Sequence, residues 1–238
     1  MLRNRLMQLF KDNAGRGQGF RVEAGADEAT IYLYDAIGSF FGIDPQEFAK
    51  ELSALRAGTI HLRINSPGGD VFAARAIQTA LFQHPAKIIT HIDGLAASAA
   101  TFVALAGNEI EMARGAALMI HRAWAFQIGN SEEMLQMADL LDKVDALIVI
   151  DYARKTKAEN RQIKDWMAAE TWFSAQEALE NGFIDRIYET PAPENKFNLS
   201  AFDNVPDRLK QKEGKEDPAV AVFRQHLERR LALIDSGI

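Results

Sequence analysis

The 238-residue chain has no cysteine. That excludes a disulfide framework, a thiolate nucleophile and any thiolate-bound metal. It leaves the compartment open, since a cysteine-free chain survives in any redox environment. An excess of positive charge is also missing. The net charge is −6, so nothing in the bulk composition favours nucleic acid as a partner. There is no long apolar run. The most apolar stretch, Leu95 to Ala106, is too short and too rich in alanine to cross a bilayer, which takes roughly 20 apolar residues. The N-terminus, MLRNRLMQLFKDN, is interrupted by Arg3, Arg5 and Lys11 and does not read as a signal peptide. These absences lead us to expect a cytoplasmic protein that contacts neither membrane nor nucleic acid. What is present is an ordinary globular balance, 47% apolar and 25% charged, with material for one substantial core.

Residues 1–27 carry Gly15, Gly17, Gly19 and Gly25 and read as a flexible arm. From Glu28 strands and helices alternate. Thr30 to Tyr34 reads as a strand, Pro45 to Leu55 as a helix capped by Asp44. Thr59 to Ile64 alternates, with Ile60, Leu62 and Ile64 on one face and His61 and Arg63 on the other. A turn at Asn65 to Gly69 leads into a helix from Val71 to Gln83. A second unit follows: a strand from Lys87 to Ile92, a turn at Asp93-Gly94 and a helix from Ala96 to Ala106. Glu109 to Met112 and Ala117 to Ile120 read as further strands. A long helix starts at Ser131, with Glu132 and Glu133 in its first turn, where the helix dipole favours anions. Ser174 to Asn181 reads as a short helix closed by Gly182, and Ile184 to Tyr188 as a last strand. This alternation predicts parallel β-α-β units in an α/β fold over residues 28–190. Beyond it, Pro191, Pro193, Pro206 and Pro218 punctuate a polar stretch that reads as a linker within a tail of residues 191–238. An amphipathic helix over 219–234 closes the expected tail.

Three segments carry chemistry. Ser98 follows a strand and opens a helix, in Gly94-Leu95-Ala96-Ala97-Ser98-Ala99. The first N–H groups of a helix lack internal partners and face the positive end of its dipole. The N–H of Ala99 is therefore ready to receive an oxyanion. A plain N-cap serine is the alternative for Ser98. Ser66-Pro67-Gly68-Gly69 also joins a strand to a helix, and its glycines permit close approach by a ligand, with Gly69 a second oxyanion N–H or merely part of a glycine turn. His121 ends the apolar run Ala117 to Ile120, where a neutral imidazole can reach a cleft and serve as the base for a serine. The alternative is a satisfied core or surface histidine.

Taken together, INSPGGDVFAARAI (64–77), DGLAASAATFVALAGNEIEM (93–112), LMIHRAW (118–124) and ETWFSAQEALENGFIDRI (170–187) resemble the ClpP family of serine peptidases in order and spacing. The resemblance implies a ClpP/crotonase-like fold of repeated β-β-α units with a protruding handle helix. It matches Ser98 to the nucleophile, His121 to the general base, and Gly69 and Ala99 to the oxyanion hole. Residues Gly68 to Val71 match the edge along which an extended polypeptide lies. The third triad position departs from the family's usual aspartate. It is Glu170 here, with Asp185 in reserve. The resemblance further implies no cofactor and no metal, polypeptide substrates and a homo-oligomer of heptameric rings, up to a tetradecamer. An AAA+ unfoldase or capsid proteins come in as further partners. Glu-Thr-Trp-Phe at 170–173, the arm and the proline-rich tail resemble the phage and prophage branch, whose proteins trim scaffold or head proteins.

Two other enzyme classes fit less well. A crotonase-type acyl-CoA enzyme shares the fold but needs neither Ser98 in its alanine context nor His121. A Ser-Lys signal-peptide peptidase would have only Lys143, on the long helix with no supporting motif, to offer. A catalytically latent ring subunit is the non-enzymatic alternative, mainly through Glu170.

Overall fold

The alternation around Ile60, Leu62 and Ile64 organises the centre of the molecule. The structure is a computed structural model that describes residues 5–39, 42–190 and 195–210. In chain order the first elements are α1 (Arg5–Asn13), β1 (Gly19–Ala24), β2 (Glu28–Tyr34), α2 (Pro45–Ala54), β3 (Thr59–Ser66), α3 (Val71–Gln83) and β4 (Lys87–Ala97). There follow α4 (Ala100–Ala104), β5 (Glu109–Ala113), β6 (Ala117–Ile120) and α5 (Ser131–Thr156). The last are α6 (Asn160–Ala168), β7 (Thr171–Ser174), α7 (Ala175–Glu180) and β8 (Arg186–Tyr188), before a 3-10 turn at Asp207–Leu209.

These form one mixed sheet in the order β1-β2-β3-β4-β5-β8. Strands β2 to β5 and β8 run parallel, and β1 is an antiparallel edge. β4 is the pivot. Its first part pairs with β5, Ile92 opposite Met112, and its last residues leave that partner for β6, Ala97 opposite Met119. The sheet therefore splits at the carboxyl end of β4, the kind of place where open α/β sheets put their ligands.

The helix caps follow the sequence. Asp44 accepts the N–H groups of Gln46 and Glu47, and Asp70 accepts that of Ala73. Asn130 and Glu133 form a reciprocal capping box that starts α5. At 26 residues α5 is about 39 Å long. It leaves Leu135, Leu140, Leu147 and Ile150 exposed.

Three expectations need correction. Residues 5–24, read as part of a flexible arm, form α1 and β1. The arm's polar texture hides Leu9 and Phe10, both buried, and β1 pairs with β2 from Ala29 to Tyr34. The helix expected from Ala96 starts only at Ala100, because Leu95, Ala96 and Ala97 are held in the ladder with β6. The stretch read as a linker packs on the body over residues 195–210. Phe197, Leu199, Phe202, Val205 and Leu209 are all buried. Helix α6 and strand β7 were not expected at all. The amphipathic helix expected over 219–234 lies outside the described residues.

Two apolar cores result. The larger holds the inner faces of β2 to β6 against the helices, around Ile31, Leu62, Ile77, Phe102 and Phe183. The smaller covers the opposite face of β4 and β6. There Leu95, Ala97, Ala117 and Met119 meet Leu9 of α1 and the buried apolar residues of 197–209, Ala201 among them. Helix α1 and residues 195–210 thus meet over the sheet split.

Candidate active site

Ser98 occupies the turn between β4 and α4 with φ +54°, in the left-handed region. A non-glycine residue there stores about 1–3 kcal/mol of strain that the surroundings must hold. They do so on both sides. The Ser98 N–H donates to Met119 O of β6 at 2.8 Å. Its carbonyl accepts Thr101 Oγ1 at 2.6 Å, and Thr101 Oγ1 lies 2.6 Å from the hydroxyl of Tyr152, buried on α5. The result is a sharp strand-to-helix elbow that raises the Ser98 hydroxyl into a cleft.

His121 arrives from the neighbouring strand. Because Ala97 lies opposite Met119, the residues just beyond the ladder come together, and His121 Nε2 sits 2.7 Å from Ser98 Oγ. The ring is flanked by Trp124, centroids 4.3 Å apart, and by Phe202 at 5.6 Å, edge-on. This apolar enclosure, helped by the charge of Arg5, pushes the imidazole down to about 3. It is therefore neutral, the form a general base requires.

Gly68 and Gly69 approach the same point. Both have positive φ, +90° and +148°. A Cβ on Gly68 would stand 2.5 Å from Ala97 O and 2.8 Å from Ser98 Cβ, and one on Gly69 would stand 2.1 Å from Ile37 O. Only glycine fits either place. Ile37 donates its N–H to Gly68 O and accepts that of Asp70, a parallel bridge that turns the Gly69 N–H to the other side. Among the described residues neither this N–H nor that of Ala99, ahead of the first turn of α4, has an acceptor. A cavity of about 220 Å³ opens beside Ser98 and His121. Val71, Phe102, Ile148 and Tyr152 line it together with Leu6 and Leu9 of α1.

The carboxylate expected to complete this set is close in register yet engaged elsewhere. In the antiparallel ladder of β6 and β7, Ile120 faces Thr171, so His121 and Glu170 are the next pair outward. Glu170 departs from the strand with φ +49°. Its Oε1 accepts the N–H groups of Asp203 at 2.8 Å and Asn204 at 2.7 Å, with Trp172 Nε1 at 3.4 Å. His121 Nδ1 is enclosed and, among the described residues, has no hydrogen-bond partner. The structure thus gathers Ser98, His121, Gly68, Gly69, Val71 and Ala99, and leaves the Glu170 carboxylate off the imidazole. Asp185, the reserve, binds Lys155 Nζ and the Ile110 N–H, a structural role on β5. Lys143 is exposed on α5. Among the described residues no group of three or more His, Asp or Glu is arranged to hold a metal ion. No helix among them is long and apolar enough to cross a membrane.

Sequence reasoning missed Arg5 and Phe202. A signal for Phe202 was present. Apolar residues at 197, 199, 202, 205 and 209 are too regular for a free linker, but the flanking prolines obscured them.

Comparison with protein families matches residues 27–191, more than half of the chain, to the family described as Clp protease. The chain belongs to the Clp protease family. It is 31% identical to ATP-dependent Clp protease proteolytic subunit 2 of Mycolicibacterium paratuberculosis over 130 residues, 54% of this chain and 65% of that one. It is 29% identical to proteolytic subunit 1 of Leifsonia xyli over 133 residues, 55% of this chain and 68% of that one. The match thus spans about two thirds of each Clp protease subunit. Among solved structures, a ClpP1 N165D mutant from Listeria monocytogenes superposes with a TM-score of 0.61. It covers 68% of this chain and 91% of the other, at 23% identity. The mixed α/β sheet with its flanking helices is accordingly the Clp protease fold.

Proposed function

We propose that this chain is a serine endopeptidase that cleaves extended polypeptides inside an oligomeric chamber. The observation that carries the reading is the 2.7 Å contact of Ser98 Oγ with His121 Nε2, at a strained elbow beside two N–H groups without acceptors. His121 takes the Ser98 proton as Ser98 attacks the peptide carbonyl. The N–H groups of Gly69 and Ala99 stabilise the oxyanion. His121 then gives the proton to the leaving amine, and water hydrolyses the acyl-enzyme by the reverse path. Glu170 is the carboxylate that serves the Nδ1 side when engaged. The substrate lies along Gly68 to Val71 and binds through its main chain. The cycle uses side chains and backbone groups alone.

Family membership and the exposed apolar side chains of α5 support assembly into rings, for which we carry forward heptamers. Trimming of capsid or scaffold proteins is the narrower substrate assignment. It is supported by Glu170 in place of aspartate and by the packed segment of residues 195–210, which lies outside the family match. The partnerless His121 Nδ1 favours a second reading, a protein latent in this conformation.

The test is labelling with a fluorophosphonate probe, the adduct located by mass spectrometry. We expect a Ser98 adduct that is absent in Ser98→Ala. A folded, assembled protein that never labels at Ser98 sinks the peptidase reading.

A further inference from the structure

His121 has a second nitrogen. For Nε2 to accept the Ser98 proton, the ring must carry its own proton on Nδ1, and a buried N–H without an acceptor is unfavourable. With no acceptor at Nδ1, the other tautomer is preferred, in which Nε2 donates to Ser98 and does not activate it. The contact at 2.7 Å is present, but the group that makes it productive is held elsewhere.

What holds it comes from two segments far apart in the sequence, residues 195–210 and α1. Phe202 packs edge-on against His121 and stacks with Trp124, centroids 5.2 Å apart, and the next two residues give their N–H groups to Glu170. Asn204 Nδ2 also donates to Ala169 O, just before Glu170. This loop is tied to α1. Arg5 pairs with Asp203 at 2.6 Å and lies over the Trp124 ring. Asn13 exchanges hydrogen bonds with the backbone of Asn198, Nδ2 to O at 2.8 Å and N–H to Oδ1 at 2.7 Å. The same helix puts Leu6 and Leu9 into the wall of the cavity beside Ser98.

We propose that α1 and residues 195–210 form an autoinhibitory clasp, in which the 202–204 loop keeps the Glu170 carboxylate off His121 until an extended polypeptide entering the cleft displaces it. The proposal rests on the peptidase reading. A polypeptide beside Ser98 competes for the space that Leu6 and Leu9 line, and α1 is coupled to the loop through Arg5 and Asn13. Once the two N–H groups leave Oε1, the Glu170 carboxylate, one residue beyond the Ile120–Thr171 pair as His121 is, is free to turn towards Nδ1. Glu170 acts as a positioning residue, and the clasp decides when.

The experiment compares fluorophosphonate labelling rates at Ser98 in the full chain with Arg5→Ala and Phe202→Ala. Opening the clasp is expected to raise the rate about tenfold in Phe202→Ala, since a carboxylate that sets the tautomer is worth up to about 10⁴ in related triads. Arg5→Ala, at a half-exposed ion pair, is expected to give a smaller rise and guards against a misfolded Phe202→Ala. Adding Glu170→Gln to either variant is expected to abolish the gain, and adding Glu170→Asp to restore part of it. A downfield imidazole proton resonance is expected in Phe202→Ala and not in its Glu170→Gln double. The clasp is overturned if the folded variants label at the wild-type rate, or if the gain survives Glu170→Gln. If the wild type labels and no variant labels faster, the clasp alone fails. If no form labels at Ser98, the clasp and the peptidase reading fail together.

Discussion

The two nitrogens of His121 face differently built regions. On the Nε2 side the candidate reacting groups come from neighbouring strands of one sheet: β4 delivers Ser98, β6 delivers the ring, and the Gly68–Gly69 turn after β3 closes in from the next strand. Elsewhere the ring is enclosed by Trp124 and by Phe202, the latter far away in sequence, and the matching carboxylate is bound to the N–H groups of Asp203 and Asn204 rather than to the ring. A nucleophile built into a sheet is fixed once the sheet forms. A carboxylate held by a packed segment can be released without unfolding the sheet. That separation lets one molecule be assembled and restrained at once.

The largest effect should come from the assembled side. Ser98→Ala is expected to lower peptide hydrolysis by at least about 10³-fold, as loss of a nucleophile does in triad enzymes, with an unchanged melting temperature. Residual hydrolysis within tenfold of wild type would remove Ser98 from the reaction. Gly68→Ala comes next. Its Cβ would meet Ala97 O and Ser98 Cβ, so the elbow must shift, and a displacement near 1 Å is worth about 10²-fold in rate. An alanine tolerated there without kinetic change would show that the elbow is softer than its strain implies.

The third effect is a pH dependence of stability. His121 titrates near 3 when folded and near its ordinary 6.5 when unfolded. Between these values the unfolded chain binds a proton that the folded chain does not, so stability falls as pH drops from 6.5 towards 3. Urea melts at stepped pH should show this slope, and His121→Gln should flatten it. In Phe202→Ala the slope should shrink, because a carboxylate at Nδ1 raises the imidazole again. An unchanged slope in His121→Gln would assign the acid sensitivity to other groups.

The smallest effect is Tyr152→Phe. It removes the hydroxyl that supports Thr101 beneath the elbow and is expected to cost about 1 kcal/mol, read as a lower thermal midpoint. Labelling at Ser98 should fall only a few fold. A loss as large as that of Gly68→Ala would place Tyr152 much closer to the chemistry.

Much of the assembled side was legible in the residues. Alternation at Ile60, Leu62 and Ile64 marked β3, Asp44 marked the start of α2, and the alanines around Ser98 marked a close backbone approach. The length of β4 was not legible. Leu95 to Ala97 has helical composition and stays a strand only because β6 pairs with it, a long-range contact that overrides local propensity. The smaller core was obscured for a similar reason. Leu9 and Phe202 acquire their burial from each other's segments and from the back of β4 and β6.

The sequence by itself singled out Ser98, His121 and Gly69 as candidates, because a strand, a tight turn and a helix start are local structures that short residue patterns encode, and the roles proposed for them came from the resemblance of those segments to a known family. Only the tertiary structure decided what Glu170 touches. Its register opposite His121 follows from pairing β6 with β7, and its present partners are backbone N–H groups more than thirty residues on. Backbone groups are the same at every position, so no residue pattern announces which of them a folded chain will bring to a buried carboxylate.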